Sequence, residues 1–353
     1  MESDKSSTVQ RQSEKIKENA PSVSQSFPGS SVFIREAFKM RGATEEAAEV
    51  MLNSISAGTL RQYSKPLKSW WNYCQEGNND PYDVAISDAL NFFTTTLESV
   101  NSFSTINTYR AALSLIAGGD LGNNKHISRF FKGAAVLKPK KYKYDVTWDP
   151  KPVLNKLTTW YPHEGLTLEM LTKKLVTLLA LTTAQRIQTL TVIRLENINL
   201  NSEPVRIKIT DPIKTSSRSK FQPSLEVPTF TEQPELCVVT TLRDYIERTT
   251  ALRKGASSTG NLFLTYKKPH HPATSQTLSR WIKEILEKSG VNTKIFSAYS
   301  TRHAATSAAA RKGTNIETIR RAAGWSATSS MFARFYNRPL ADSTTFASTI
   351  LQK

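Results

Sequence analysis

Two arginines in the second half of the sequence stand among apolar or small residues, where a charged side chain is unexpected. Arg186 stands in "TTAQRIQTL", between two apolar segments, and Arg302 stands in "YSTRHAATS", among small residues. A buried guanidinium needs an anionic partner, because an unpaired buried charge is costly. No carboxylate lies in the turn around Arg186. A structural ion pair with a distant carboxylate is one explanation, and a phosphate, which matches the planar fork of arginine, is the other.

A tryptophan and a tyrosine follow the second arginine. Gly324 ends a helical pattern, Trp325 comes next, and Tyr336, the last tyrosine of the chain, stands eleven residues later. Aromatic residues in an arginine-flanked stretch often serve packing alone. An indole N–H is nevertheless a pure hydrogen-bond donor, and a phenol is a nucleophile once its proton is removed.

Taken in order, these residues resemble the tyrosine recombinase family of phage-type integrases and Cre-like and Xer-like recombinases. That family has an arginine after the first helix of its catalytic domain, a lysine in a β-hairpin, an H-x-x-R box, a G-[HW] dipeptide and then a tyrosine. The resemblance spans about residues 170–340. Within the family, the sequence most resembles the eukaryotic recombinases of Crypton-type mobile elements. It assigns the catalytic positions to Arg186, Lys214 (with Lys220 as competitor), Arg302, Trp325 and Tyr336.

The resemblance implies a breaking and rejoining reaction on DNA. The tyrosine oxygen attacks a phosphodiester, leaves a 3′-phosphotyrosine and a free 5′-hydroxyl, and a second 5′-hydroxyl reverses the step without metal, cofactor or ATP. Arg186 and Arg302 would hold the non-bridging oxygens, Trp325 would add an indole hydrogen bond, and Lys214 would protonate the departing oxygen. Such preorganised donors are usually the main source of the rate.

Two positions depart from the family pattern. Tyr299 stands where the H-x-x-R box has histidine, and Thr189 stands where an acidic residue usually follows the first arginine. We interpret Tyr299 as a hydrogen-bond donor to the phosphate, with packing beneath the helix as the alternative. His303 follows Arg302 directly and is expected to point about 100° away from it on a helix, so it is not expected to reach the same phosphate oxygen. It is included among the candidate DNA contacts.

Composition favours a nucleic-acid partner. Lys and Arg number 47 and Asp and Glu 30, which leaves a net charge of +17, and a merely basic protein is the alternative. With 39% hydrophobic residues the chain can form a core, whereas two cysteines make neither a disulfide framework nor a metal site. No apolar run is long enough for a membrane span, and the N-terminal segment lacks the apolar core of a signal peptide. We therefore expect a protein that is not secreted, and a nuclear one if its source is eukaryotic.

Periodicity predicts a mainly α fold with a small antiparallel β-sheet. A tail at 1–32 is too polar to fold. An all-helical domain covers 43–137, with one helix ended by Gly77, a second capped at Ser87 or Asp88, and a third capped by Ser104. The resemblance implies that it is the family's SAM-like core-binding domain. A basic linker covers 138–153. The catalytic domain at 154–340 contains a helix from Leu171 to about Thr183, strands at "VRIKIT", "PSLEVP" and "NLFLTY", and a helix from Ser275. A C-terminal tail, 341–353, is a candidate for exchange between protomers.

Double-stranded DNA is the expected partner, with a dimer on one site and a tetramer on two implied by the resemblance. Basic and hydroxyl side chains on two helices and in the linker are candidate contacts to phosphates and grooves. A solvated charged face is the alternative for each of them. These candidates are Arg61, Lys65, Lys68, Thr105, Thr108, Arg110, Lys138, Lys140, Lys141, Lys143, Lys220 and His303.

The sequence leaves several functions open. The main interpretation is an active site-specific recombinase or integrase of a mobile element. A domesticated, weakly active or inactive DNA-binding derivative is a second, and a type IB topoisomerase a third. The presence of Tyr336 with both arginines favours activity, and the absence of a long linker disfavours the topoisomerase. Delivery of Tyr336 in cis or in trans is left open.

Overall fold

The chain folds into two compact units, Met1–Lys141 and Tyr142–Lys353. A computed structural model describes residues 26–118, 120–139, 143–216, 222–253 and 260–340. The predicted mainly helical class with one small antiparallel sheet is confirmed. The greater part of the predicted N-terminal tail and all of the predicted C-terminal tail lie outside the described residues, so the two predictions are untested over those residues.

The first unit is helical throughout its described part. Side-chain caps begin several of its helices, as when Ser56 accepts a hydrogen bond from the backbone of Thr59. Gly77 ends the long helix as predicted. The next helix begins after Ala85 rather than at a cap on the predicted Ser87 or Asp88, and Ser102 rather than Ser104 caps the helix that follows. The helices are α1 Ser30–Met40, α2 Glu45–Asn53, α3 Ala57–Glu76, α4 Ile86–Ser99, α5 Phe103–Ala117, α6 Asp120–Asn123 and α7 Lys125–Leu137.

Helix α1 corrects the predicted start of this unit. The helix begins at Ser30, so residues 30–32 belong to the folded unit rather than to the tail, and the unit starts before the predicted residue 43. Phe33 and Ile34 are fully buried in the unit's aromatic core, and Phe33 contacts Trp71 edge to face. Burial of two large apolar side chains accounts for the order of this segment, which the Ser-rich composition just before it obscures.

The second unit is built around one buried helix. The helix Leu168–Thr183 buries twelve of its sixteen residues and contacts four other helices of this unit and one strand of its sheet. Its range includes the helix predicted from Leu171. The helices are α8 Lys151–Thr158, α9 Leu168–Thr183, α10 Ile187–Thr191, α11 Val238–Thr250, α12 Ser275–Lys288, α13 Ser300–Arg311 and α14 Ile316–Ala322, and one π-helical turn covers Phe332–Tyr336.

A three-stranded antiparallel sheet packs beside α9. Its strands are β1 Ile198–Asn199, β2 Val205–Lys208 and β3 Ser224–Val227, in the order β1-β2-β3. Val205 pairs with Val227, so the buried side chains of β2 and β3 share a face. The segment "NLFLTY", predicted as a strand, forms only isolated bridges with Arg194 and Pro272. Its three apolar residues 262–264 are all buried, so they form a core segment rather than an alternating strand.

Part of the predicted linker is packed into the second unit. Tyr144 and Trp148 are buried in its main core, and α8 begins at Lys151. The backbone N–H of Thr147 donates to the carbonyl of Pro339 at 2.8 Å. Residues 143–153 therefore belong to the folded second unit, which begins before the predicted residue 154. Of the basic residues in the predicted linker 138–153, Lys140 and Lys141 lie outside the described residues.

None of the helices that the structure describes combines the length and the apolar character that a membrane crossing requires.

Candidate active site

Helix α13 carries Arg302 on its buried side. Its small residues let it lie close against α9, and Trp148 donates from Nε1 to Ser300 Oγ at 2.8 Å, which fixes the start of the helix. Arg302 is 1% exposed, and burial lowers the pKa of its guanidinium to about 10, so it stays charged at neutral pH. A buried charge of this kind favours the binding of an anion.

The turn after α14 faces Arg302 because of one glycine. Gly324 has a φ of 66°, a left-handed conformation that glycine adopts at little cost. The N–H of Trp325 donates to Arg320 O and that of Gly324 to Arg321 O, which together form a Schellman helix end. Arg302 Nη2 donates to the carbonyl of Ala323 at 2.6 Å. The reversal brings Trp325 back over the arginine.

Arg302, Trp325 and Tyr336 form one cluster. The guanidinium carbon of Arg302 lies 4.6 Å from the Trp325 ring centroid and 5.4 Å from that of Tyr336. The rings of Trp325 and Tyr336 are 4.7 Å apart. Within the described residues, Arg302 Nε and Nη1 and Trp325 Nε1 are buried donors without a hydrogen-bond partner. The cluster is therefore rich in unsatisfied donors, as an anion site would be.

Tyr336 is a buried phenol whose hydroxyl contacts a second phenol. Its side chain is 3% exposed, its ring stacks on His303 at 4.2 Å, and its hydroxyl contacts that of Tyr299. Burial, together with the Tyr299 hydroxyl, raises the pKa of Tyr336 to about 12, while the charges of Arg302 and Arg186 act in the opposite direction. At neutral pH Tyr336 is therefore a protonated phenol and needs activation before it can attack.

The backbone around Tyr336 is held from two sides. Ser307 Oγ on α13 donates to the carbonyl of Tyr336 and accepts from the N–H of Arg338 at 3.1 Å. Tyr336 ends a π-helical turn, closed by the N–H of Asn337 donating to Phe332 O at 2.8 Å. Such turns are rare and often occur at functional sites. Tyr336 thus lies against Arg302 of its own chain, in the cis arrangement.

Arg186 approaches the cluster from the junction of α9 and α10. Ala184 ends α9 with a φ of 49°, a left-handed conformation that is unusual for a residue with a side chain. The reversal leaves Arg186 half-buried at the start of α10. Its charge acts on the pKa values of both Arg302 and Tyr336 and lowers each. A shallow cleft of about 390 Å³ has Arg186, Gly324, Trp325 and Arg321 among its lining residues.

Lys214 lies in the turn that follows β2. Its side chain is exposed, and its neighbours Ile213 and Thr215 line the same cleft as Arg186. The backbone N–H of Lys214 donates to Gln188 Oε1 at 3.3 Å. The lysine is thus attached to the rim of the cleft. Lys220, its competitor, lies outside the described residues, so the choice between them stays open.

The departures from the family pattern include a tyrosine that contacts the predicted nucleophile. Tyr299 directly precedes α13, is 40% exposed, and reaches Tyr336 rather than only packing beneath the helix. His303 is 7% exposed and lies against Tyr144, Tyr299 and Tyr336. Burial lowers its pKa to about 4, so the imidazole is neutral at neutral pH. Its predicted DNA contact is untested, and the ring contacts the phenol that Arg302 also faces.

The predicted DNA contacts of the first unit lie on two packed helices. Arg61, Lys65 and Lys68 are exposed on α3, which packs against α5. Gln62 donates to Thr108 at 3.4 Å and so joins the two helices. Thr105 bonds to the cap Ser102, and Arg110 lies 4.7 Å from the ring of Phe131.

Two of the lysines predicted to bind DNA near residue 140, Lys138 and Lys143, already bind other groups of the protein. Lys138 Nζ contacts the carbonyl of Val100, and Lys143 Nζ donates to Ser297 Oγ at 3.3 Å. DNA binding by all these residues stays a prediction.

Sequence reasoning missed the residues that hold the site together. Gln185, Trp148 and Ser307 each bind a group that orients Tyr336, Trp325 or Arg302. Only Gln185 had a readable signal, since a polar residue directly before Arg186 in an apolar stretch needs a partner. Within the described residues no group of three or more His, Cys, Asp and Glu side chains could hold a metal ion.

The arrangement can bind one tetrahedral anion beside a phenol. Two guanidiniums and an indole N–H supply donors, and a tyrosine oxygen lies in contact range of the same cluster. Donors aimed at a phosphoryl group stabilise the charge that develops as a nucleophile attacks it. A phenol beside such donors is the arrangement that nucleophilic attack on a phosphoryl group requires.

Comparison with known proteins agrees with this geometry. The family model described as "Phage integrase family" matches residues 163–341, slightly more than half of the chain, and this range contains the whole cluster. No curated protein matches the chain.

Solved structures share the fold. A XerH site-specific recombinase bound to palindromic difH substrate, in a post-cleavage complex, is similar at 12% identity and a TM-score of 0.56, over 87% of this chain and 90% of that chain. A Tn1549 transposon integrase in complex with transposon right end DNA is similar at 15% identity and a TM-score of 0.53, over 92% and 100%.

Proposed function

Because the chain belongs to the phage integrase family, we propose that it is a tyrosine-type DNA strand transferase in which Tyr336 is the nucleophile. The observation that carries this proposal is the contact of Tyr336 with Arg302, a buried guanidinium with two unpartnered donors among the described residues. Each buried donor left without a partner costs about 1 to 3 kcal/mol. A phosphodiester beside Tyr336 supplies the partners.

Cleavage is an in-line displacement at phosphorus. The Tyr336 oxygen forms a bond to the phosphorus while the bond to the 5′-oxygen breaks, so one phosphodiester is exchanged for another. Arg302 and Arg186 bind the non-bridging oxygens, and Trp325 Nε1 donates a further hydrogen bond. Each such donor is worth about 3 to 4 kcal/mol of the barrier. Rejoining is the same step in reverse, with a 5′-hydroxyl as the nucleophile.

Two protons have to move during cleavage. Lys214 gives one to the departing 5′-oxygen, and Tyr336 passes the other to solvent water as its oxygen attacks. The raised pKa of Tyr336 means that the phenol is the resting form. The incoming phosphate adds hydrogen-bonded contacts to Arg302 and competes for the Tyr336 hydroxyl. Tyr299, already in contact with that hydroxyl, orients it until DNA enters and then donates to the phosphate.

The wider role that we propose is site-specific recombination for a mobile element. The resemblance of residues 300–339 to Crypton-type recombinases supports it, as does the shared fold with a transposon integrase. Self-association on paired DNA sites and, in a eukaryote, a nuclear location belong to the same proposal. Thr189 and Tyr299, the two departures, favour a domesticated derivative with weak or no activity as the second candidate.

Covalent capture on randomised DNA tests the proposal and identifies the target sequence in one experiment. A library of nicked duplexes with randomised sequence traps a tyrosine recombinase, because the short 5′-hydroxyl fragment diffuses away after cleavage. We expect the unchanged protein to retain DNA through denaturation and Tyr336→Phe to retain none, and sequencing of the retained duplexes gives the target. Binding without retention would favour the DNA-binding derivative.

A further inference from the structure

Arg186 is flanked by two glutamines whose side chains reach different parts of the site. Gln185 precedes it and is 4% exposed, and its Nε2 donates to the carbonyl of Ala322 at 2.7 Å. Gln188 follows two residues later, is exposed, and its Oε1 accepts from the backbone N–H of Lys214 at 3.3 Å. One short stretch around the start of α10 is thus hydrogen-bonded to the turn of the tryptophan and to the turn of the lysine.

Gln185 holds the end of α14 against the first arginine. A Cβ added to Gly324 would lie 3.8 Å from Gln185 Nε2 and 4.0 Å from its Oε1, so the amide lies directly beneath the turn. Arg302 binds the next carbonyl, that of Ala323. The last carbonyls of a helix lack partners within it, and here two side chains from the arginine segments supply them. The direction of Trp325 follows from this attachment.

Gln188 makes the equivalent attachment on the other side. The turn that carries Lys214 is closed internally, since the N–H of Ile213 donates to Ser216 Oγ at 2.8 Å. The amide of Gln188 attaches that closed turn to the first turn of α10. A displacement of Gln188 therefore moves the backbone from which the lysine extends.

We propose that Gln185 and Gln188 are positioning residues, which set Trp325 and Lys214 at their distances from Arg186. This inference rests on the proposed function. Gln185 acts through the indole that binds the non-bridging oxygens, whereas Gln188 acts through the amine that protonates the departing 5′-oxygen. Misplacement of such a group by about 1 Å costs up to about a hundredfold in rate. The two glutamines therefore affect separable parts of one step.

A sulfur leaving group separates the two effects. The test uses the duplex recovered by covalent capture, made with oxygen or with sulfur at the bridging 5′-position of the cleaved phosphate. A thiolate departs without protonation, so a defect in the acid disappears with sulfur. We expect Gln188→Leu to cleave the oxygen duplex slowly and the sulfur duplex at the rate of the unchanged protein. Gln185→Leu should cleave both slowly.

Reference variants and folding controls complete the design. Lys214→Ala should reproduce the pattern of Gln188→Leu, and Trp325→Phe that of Gln185→Leu. Should Gln185→Leu fail to fold, as judged by its thermal transition, Gln185→Glu retains the size and removes the donor.

Three outcomes overturn the inference. In the first, both glutamine variants cleave at the unchanged rate, and in the second, both respond alike to sulfur. In the third, the unchanged protein forms no covalent adduct, which overturns the proposed function as well.

Discussion

At the scale of single residues, the strongest signal is an arginine that the fold does not neutralise. Arg302 is 1% exposed, yet among the described residues its guanidinium donates to the carbonyl of Ala323 and lies against Tyr336, and it makes no ion pair with a carboxylate. The distant carboxylate considered from the sequence is not found there. An arginine kept charged in this way lowers the stability of the free protein and strengthens the binding of an anion.

Replacement of Arg302 by lysine tests the value of the guanidinium fork. Lys keeps the charge but loses the planar pair of donors and the stacking on Trp325. We expect Arg302→Lys to lower the rate of covalent adduct formation by about 10² to 10³, measured in single-turnover assays with excess protein. Arg311→Lys, an exposed arginine at the far end of α13, is the matched control and should keep the full rate. Equal rates for both variants would contradict a phosphate-binding role.

His303 predicts a dependence of stability on pH. Its pKa is lowered to about 4 by burial and by the neighbouring charges of Arg338, Arg302 and Lys143, from an ordinary value of 6.5. The folded protein therefore holds a neutral imidazole, and protonation favours unfolding. This stability is present above pH 6.5 and is lost as pH falls toward 4. A pKa difference of this size corresponds to about 3 kcal/mol.

Denaturant unfolding at several pH values measures the effect. Between pH 7 and pH 4.5 the free energy of unfolding should fall more in the unchanged protein than in His303→Gln, which cannot titrate. His126→Gln, an exposed histidine of the first unit, should behave as the unchanged protein does. Parallel curves for all three proteins would show that His303 is not buried as described.

At the scale of elements, helices and strands with a strong apolar period were predicted from the sequence, whereas ordered segments without a period were not. The helix predicted from Ser275 begins there as α12 and buries its apolar face, and β2 and β3 fall within the predicted strands. The segment 143–153 reads as a charged linker because its few aromatic residues have no period. Its order comes from contacts with residues about 150 positions away, such as that of Trp148 with Ser300, and no local pattern contains them.

The same contrast holds within the site. The residue types and order identified Arg186, Arg302, Trp325 and Tyr336, which the fold brings into one cluster or around one cleft. The contact of Tyr299 with Tyr336 and the attachment by Gln185 depend on how α13 and α14 pack. Such distances follow from tertiary structure alone.

Trp148 links the segment 143–153 to the site. Its indole donates to Ser300 Oγ, directly after Tyr299 at the start of α13. We expect Trp148→Phe to lower the free energy of unfolding by about 1 to 2 kcal/mol, because the buried hydroxyl loses one partner. Tyr82→Phe, at a half-buried tyrosine packed against the core of the first unit, serves as control for loss of an aromatic polar group. Chemical denaturation that shows no change for Trp148→Phe would return this segment to the role of a linker.

At the scale of the whole molecule, the excess of positive charge predicts binding that depends steeply on salt. The net charge is +17, and exposed basic residues occur on α3. Each phosphate neutralised on duplex DNA contributes a slope of about 0.9 to log affinity against log salt concentration. The double variant of Arg61→Gln and Lys65→Gln should therefore reduce the slope by about 0.9 for each phosphate that it leaves without a basic partner.

A matched pair of basic residues controls for net charge. Arg35 and Lys39 form ion pairs with Glu49 and Glu45 in the same unit. Their double replacement by glutamine removes the same charge, and in a fluorescence anisotropy titration it should leave the slope unchanged. An equal reduction of the slope in both double variants would mean that α3 contributes only general charge.

The most direct test of the account is the identity of the residue that carries DNA after cleavage. The unchanged protein is incubated with a nicked duplex, the covalent adduct is digested with protease and nuclease, and the modified peptide is sequenced by mass spectrometry. The account predicts a nucleotide joined through its 3′-phosphate to Tyr336. Attachment to Tyr299, the more exposed phenol in contact with it, or to any other residue would contradict the account.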